Sequence, residues 1–209
     1  HGPKFLLFLY FKSLPQLYAC AFGAKVLAHT SRLVHSGDDM LVFSRRIAET
    51  GQFLIDVMTP GNLQQGKLGI QSILKVRLIH AAIRQFVKAG QWNEEEWGKP
   101  INQEDMAITL LTFSISLIDA LHQFGLDDWD EREQAYLKTW MAIGELLGVD
   151  TDLLPENLED ARFLLDKILE RQAASSPEGE LLASALLNFS RQTLPSERIK
   201  NLPEILMRY

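Results

Sequence analysis

A chain of 209 residues is long enough to bury one sizeable core without disulfides, and 46% apolar against 23% charged residues excludes a collagen-like, low-complexity or wholly disordered polypeptide. The formal net charge of −6, with no local basic patch evident along the chain, argues against a nucleic-acid binder that works by neutralising phosphates. The single cysteine, Cys20, excludes an internal disulfide framework, a cysteine-rich zinc site and thioether attachment of a c-type haem.

Apolar residues recur at three- and four-residue spacing almost throughout, and no strand-period run of β-branched residues interrupts them. The expected fold is therefore all-α, one bundle of about eight or nine helices forming a single domain over 1–209. Residue 1 is His rather than Met, which suggests a fragment or processed product lacking its native N-terminus. The compartment is left open, with the cytoplasm favoured. Periodicity and helix breakers predict helices at about 3–12, 15–32, 39–58, 70–89, 102–124, 129–147, 157–173 and 177–192, with a final turn from 203. All the prolines fall where a helix could start or stop. Gly90, Gly125 and Gly148 each follow a helical run, where a left-handed C-terminal cap is expected.

In chain order, the first helix holds the most apolar run, Phe5 to Phe11. Lys12 and Pro15 cut it well short of the roughly 20 residues a membrane span requires, so no transmembrane segment is expected. In the 39–58 helix, Phe43, Arg46, Thr50, Phe53 and Val57 follow a three-four spacing. That places Arg46 and Thr50 at positions reserved for the core, with Glu49 alongside. The three form either a self-satisfied polar network or the wall of an oxygen site. In the second reading Glu49 accepts a proton and Arg46 or Thr50 orients a bound oxygen species. The following loop, Gly61 to Leu68, nearly spells a phosphate-binding loop, but Leu68 stands where a magnesium-binding hydroxyl is needed.

In the 70–89 helix, Arg77, His80 and Arg84 lie within an arc of about 60° that Ile73 and Val87 share. A buried guanidinium requires an anion. Protein carboxylates such as Glu104 or Asp105 would supply it, leaving His80 an ordinary hydrogen-bonded core histidine. A bound anionic ligand would also supply it, and haem is a specific case: a neutral imidazole ligates the iron while arginines meet the propionates. Trp92 and Trp97 read as packing anchors of a short turn. Asn102 and Asp105 read as capping chemistry, and Thr109 and Thr112 can each bond back to a carbonyl one turn earlier. His29, His35 and His122 lack a partner at ligand spacing with flanking arginines, and surface or loop placement is expected for them. The acidic run Asp127 to Glu131 reads as a helix start, and Asn188-Phe189-Ser190 as a chance glycosylation match inside a helix.

Arg77-x-x-His80-x-x-x-Arg84, preceded by Arg46-x-x-Glu49-Thr50 and followed by Ile101 to Asp105 and Thr109 to Ser114, resembles the rubber oxygenase (latex-clearing protein) and MpaB oxygenase catalytic-domain family over nearly the whole chain. The resemblance implies a globin-reminiscent helical fold that holds a non-covalent haem b. His80 matches the proximal iron ligand, with Arg77 and Arg84 beside it. Arg46 and Thr50 match the distal pair, Thr112 a threonine of the later helix, and Arg208 a C-terminal arginine. The implied partners are dioxygen and a small apolar substrate, with carbon–carbon double-bond cleavage the family's best-known chemistry. One departure matters: the family lysine before the distal threonine, which can cap the iron, is Glu49 here. A carboxylate has the opposite charge and caps haem iron less well, so the resting ligation and the reaction are open at this point. The alternative is a non-catalytic helical module that binds haem or an apolar ligand as a sensor or carrier. Oligomeric state is not legible.

Overall fold

The computed structural model describes residues 8–30, 39–90, 92–126, 130–193 and 201–208. Predicted features at 1–7, His35 and Asp127 to Trp129 lie outside the described residues, as does the side chain of Arg208. A π-helical turn at Leu9–Ser13 runs straight into α1 (Leu14–Ala19), followed by α2 (Ala21–His29), α3 (Asp39–Met58), α4 (Leu68–Ala89) and the single turn α5 (Glu94–Trp97). Next, α6 (Gln103–Leu111) continues through a second π-helical turn (Thr112–Ser116) into α7 (Leu117–Gln123). The chain closes with α8 (Asp130–Leu147), a 3-10 turn (Thr151–Leu153), α9 (Leu158–Gln172), α10 (Pro177–Thr193) and α11 (Leu202–Arg208). The all-α expectation is met: among the described residues the only β pairing is an isolated bridge between Cys20 and Ala173.

The rod formed by α6, the second π turn and α7 is the centre of the core. Ala107, Leu111, Ile115, Leu117 and Ala120 on it are fully buried, packed among Leu137, Trp140 and Ile143 of α8, Ile168 of α9 and Leu182 of α10. The segment Gln103–Gln123 is long and apolar enough to cross a membrane by composition, yet 78% of its apolar window is buried inside the fold. It reads as a core helix, for which tertiary packing supplies the same apolar demand that lipid would. Side chains tie down the π turn. Ser13 Oγ donates to the Thr112 carbonyl at 2.7 Å and Tyr136 Oη to the Phe113 carbonyl at 2.9 Å.

Several boundaries differ from expectation for local reasons. The helix expected at 15–32 is broken at Cys20, whose backbone is extended (φ −77°, ψ 98°), because the chain there pairs with Ala173 and the Ala19 carbonyl accepts from Ala174 N–H at 3.0 Å. Gly90 does not form a left-handed cap; its φ is −90°. Gly125 and Gly148 do, at φ 65° and 89°. In each case the glycine N–H and the next N–H bond back across the last turn, from Gly125 to His122 and Leu126 to Leu121, and from Gly148 to Glu145 and Val149 to Gly144. The near phosphate-binding loop is a tight connection between α3 and α4. Asn62 Nδ2 donates to the Asp56 carbonyl at 2.9 Å, and the backbone approaches Gly69 closely enough that a Cβ there would stand 2.7 Å from the Asn62 carbonyl.

The cap on α6 forms as the sequence suggests. Asn102 Oδ1 accepts from Asp105 N–H, and Asp105 Oδ2 accepts from Asn102 N–H, both at 3.0 Å. Asn102→Ala should cost about 1 kcal/mol of stability, read as a lowered midpoint in urea with an unchanged slope.

Candidate functional site

Helices α3 and α4 pack side by side and, together with α1, α2 and α6, enclose a cavity of about 630 Å³. That is within the usual range of ligand sites, about 300–1,000 Å³. From α3, Arg46, Glu49, Thr50 and Phe53 line it; from α4, His80 and Ile83; from α6, Asp105 and Thr109. Trp140 of α8 closes part of the wall. On another side of His80 lies an open cleft of about 740 Å³ lined by Arg77, Arg84, Lys88 and Lys99. His80 borders both spaces.

His80 Nδ1 is buried with no hydrogen-bond partner among the described residues. Burial, followed by the guanidinium charges of Arg84 and Arg46, pushes its pKa down to about 4. The imidazole is therefore neutral at pH 7, the form that binds metals. Among the described residues no three His, Cys, Asp or Glu side chains converge as a metal site. A metal at His80 must bring most of its own donors, as a macrocycle does.

The arginines are not matched to Glu104 or Asp105 as the bland reading expects. Arg84 donates through Nε and Nη2 to the Ile101 carbonyl at 3.1 and 2.7 Å. Arg77 is exposed rather than core-facing, and its Nη1 donates to the Leu146 carbonyl at 3.0 Å. Glu104 instead pairs with Arg171 and Gln172. The Ile101 that Arg84 grips has φ 52°, a left-handed conformation that a β-branched residue rarely adopts. The two-pronged bond and the adjoining Asn102 cap hold it there.

On α3, Thr50 Oγ1 donates to the Arg46 carbonyl at 3.0 Å. Arg46 and Thr50 are half-buried, whereas Glu49 is exposed at the rim and paired with Arg45 at 2.9 Å. Arg46, Glu49, Thr50 and His80 thus meet around one cavity, and Arg77 and Arg84 join His80 in the cleft. Thr112 lies elsewhere: it is fully buried in the core and donates to the Thr109 carbonyl at 3.0 Å.

Asp105, read from sequence only as a cap, is also a cavity carboxyl. Burial raises its pKa to about 6, opposed by the Asn102 N–H and by Arg84 and reinforced by Glu104. The signal was in the i, i+4 spacing of Asp105, Thr109 and Phe113, all of which line the cavity. Because the folded pKa lies above the unfolded value, the folded state binds more protons between about pH 4 and 6, and ionising Asp105 costs stability as pH rises through that window. Asp105→Asn should raise the melting temperature at pH 7.5, with the gain shrinking towards zero as pH falls to 4. The two melting curves, measured across pH, check this.

The other described histidines, His29 and His122, are packing residues at the surface. His29 stacks on Trp92 and Trp97, which pack on each other with ring centroids 5.1 Å apart. His122 pairs with Glu133. The Ser190 hydroxyl of the chance glycosylation match donates to the Leu187 carbonyl inside α10. Burial pushes the Cys20 thiol up to about 11.

The helical bundle thus sets His80 in the wall of a largely apolar cavity that Arg46 and Thr50 also line. The chain belongs to the family described as ER-bound oxygenase mpaB/B′/Rubber oxygenase, catalytic domain, whose sequence model matches residues 13–208. It is similar to a rubber oxygenase of Streptomyces sp. (strain K30), 27% identical over 177 residues, covering 82% of this chain and 43% of that protein. A solved structure of latex clearing protein LCP in the closed state superposes with a TM-score of 0.75 at 22% identity, over 100% of this chain and 55% of that one. The chain spans about half the length of these relatives.

Proposed function

We propose that this chain is the catalytic domain, a single unit over residues 1–209, of a haem-b-dependent oxygenase that uses dioxygen to oxidise a small apolar substrate, by cleavage of a carbon–carbon double bond. The observation that carries the reading is His80: a neutral imidazole with a buried, unpartnered nitrogen on the boundary between an apolar cavity and a cationic cleft. His80 is the ligand such a cofactor would take. Arg77 and Arg84 stand where carboxylate groups emerging into the cleft would be met. Each spends only part of its five N–H donors on a backbone carbonyl, so donors remain for an anion. The bound haem would supply redox-active iron able to activate dioxygen.

The remaining roles belong to the chain. Arg46 brings positive charge to the cavity wall and favours any anionic oxygen group facing it. The Thr50 hydroxyl, donating to the Arg46 carbonyl, keeps its lone pairs as acceptors on the same wall. Glu49, held at the rim by Arg45, is suited to exchanging protons with solvent and is set back from the imidazole by its exposure. Phe53, Ile83 and Phe113 exclude water and favour an apolar substrate. The carrier or sensor reading has support in the Arg45 pairing of Glu49, which already engages the carboxylate at the cavity rim.

Haemin titration of the purified chain tests the proposal. A saturating Soret band at one haem per chain, followed by oxygen uptake with an apolar alkene, is the expected result. No spectral change beyond that given by a helical control protein would overturn the haem reading, and haem binding without oxygen uptake would favour the carrier.

A further inference from the structure

Helix α4 is amphipathic twice over. It packs chiefly on α3 and α8, and Gly69, Ile73 and Val87 mark its buried side. At 100° per residue the opposite side carries Leu74, Leu78, Ala81, Ala82 and Phe86, with Gln71 and Gln85 among them, all exposed. Leu74 is 56%, Leu78 71% and Phe86 62% exposed. These are positions that a solvated helix fills with charge. Here the cations are Arg77 and Lys88 along one edge and Lys75 between Ala82 and Phe86.

The helix contains no Asp or Glu in its 22 residues, although the chain as a whole carries −6. The expectation of no local basic patch is thus corrected by this one element. Lys88 has Glu94 at 3.4 Å, but among the described residues no carboxylate pairs with Lys75 or Arg77. Other large exposed apolar side chains, such as Phe22, Phe163 and Ile205, belong to different helices. Scattered in that way they are ordinary; a strip on one helix is not.

We propose that the outer face of α4 docks on an anionic lipid bilayer, with Leu74, Leu78 and Phe86 entering the boundary between headgroups and acyl chains and Lys75 and Lys88 meeting lipid phosphates. The strip is about 18 Å long from Leu74 to Phe86. Apolar side chains set among cations on one exposed helix face suit a fluid anionic surface. An apolar strip with cations along one flank and within it can lie in an anionic membrane interface, the long lysine side chains reaching out to the headgroups. The acidic remainder of the chain, repelled by the same surface, fixes the orientation. Arg77, Ala81 and Lys88 also edge the cleft that reaches His80, so docking turns that cleft towards lipid. This inference stands whether or not the chain binds haem.

Flotation of the chain with vesicles of phosphatidylcholine alone, or with about one-third phosphatidylserine, tests it. Co-flotation with the anionic vesicles, weakened by added salt, is expected. Leu78→Asp should reduce the bound fraction at least about tenfold, and Lys75→Glu at least about fivefold. Both should melt like the parent because the two side chains are exposed, and Phe163→Asp, on a different helix, should bind like the parent. Failure to float with anionic vesicles, or undiminished binding by a folded Leu78→Asp chain, overturns the proposal. So does a dimer that Leu78→Asp converts to monomer without any vesicle binding, which would make the face a contact between copies.

Discussion

His80→Ala should weaken haem binding by at least about 100-fold, seen as loss of the Soret band in a haemin titration that saturates the parent chain. The estimate takes as a floor the 10–100-fold that outer-shell partners alone are worth at metal sites, since His80 is the single protein ligand proposed. Stability provides the control. An ordinary core histidine leaves its hydrogen-bond partner stranded when truncated, at a cost of about 1–3 kcal/mol. The Nδ1 of His80 has no partner to strand, so the apo His80→Ala chain should melt close to the parent. Imidazole added to the variant should restore part of the band by occupying the vacated space.

The pH dependence gives a further readout with a definite sign. A free histidine protonates near 6.5, whereas His80 is held down to about 4 by burial and by Arg84 and Arg46. Protons therefore compete with the metal only near the lower value, and haem affinity should stay level from pH 7 to about 5 before it falls. The same depression means that the unfolded chain binds the extra proton between about pH 4 and 6.5. This group's contribution therefore favours the folded state more as pH rises through that window. Asp105 contributes with the opposite slope, so the apo chain should show a shallower acid profile than either group alone would give.

The helical periodicity made the fold and half of the site legible. It placed Arg77, His80 and Arg84 on the arc of Ile73 and Val87, and Arg46 and Thr50 on the core stripe of α3. What it could not supply was where neighbouring elements stop. Arg77 sits on the buried arc by angle, but α8 ends beside it at Leu147, so its guanidinium caps the Leu146 carbonyl at the surface. For Arg84 the sequence offers a protein carboxylate or a bound anion, because charge pairing can be read from a sequence and a strained carbonyl cannot. The left-handed Ile101 turns its oxygen towards the fork, and nothing in residue type announces that φ. Glu49 faces Arg45 because an i, i+4 pair was available on its own helix. The π turn in the central rod also escaped prediction, since Thr112 to Ser116 has ordinary helical composition and the widened turn is tied down by side chains from distant segments, Ser13 and Tyr136.

That tethering sets the second large effect. Leu111 is fully buried at the junction of α6 with the π turn and, unlike its neighbour Leu110, does not line the cavity. Leu111→Ala would open a new void, and the surroundings would have to move to close it. The π turn cannot slide inwards without breaking the Ser13 bond to the Thr112 carbonyl or the Tyr136 bond to the Phe113 carbonyl. The cost should therefore fall in the upper part of the 2–5 kcal/mol range for such truncations, about 4 kcal/mol. For a chain of this size that lowers the melting temperature by about 10 °C. Leu110→Ala removes the same atoms but enlarges a space that already exists, so its void must be filled by ligand or water rather than by collapse. Its deficit should shrink when a cavity ligand is added, and that of Leu111→Ala should not. A Leu111→Ala loss below about 1 kcal/mol would mean that the central rod relaxes freely, and that the two side-chain tethers do not hold the turn on which the cavity wall is built.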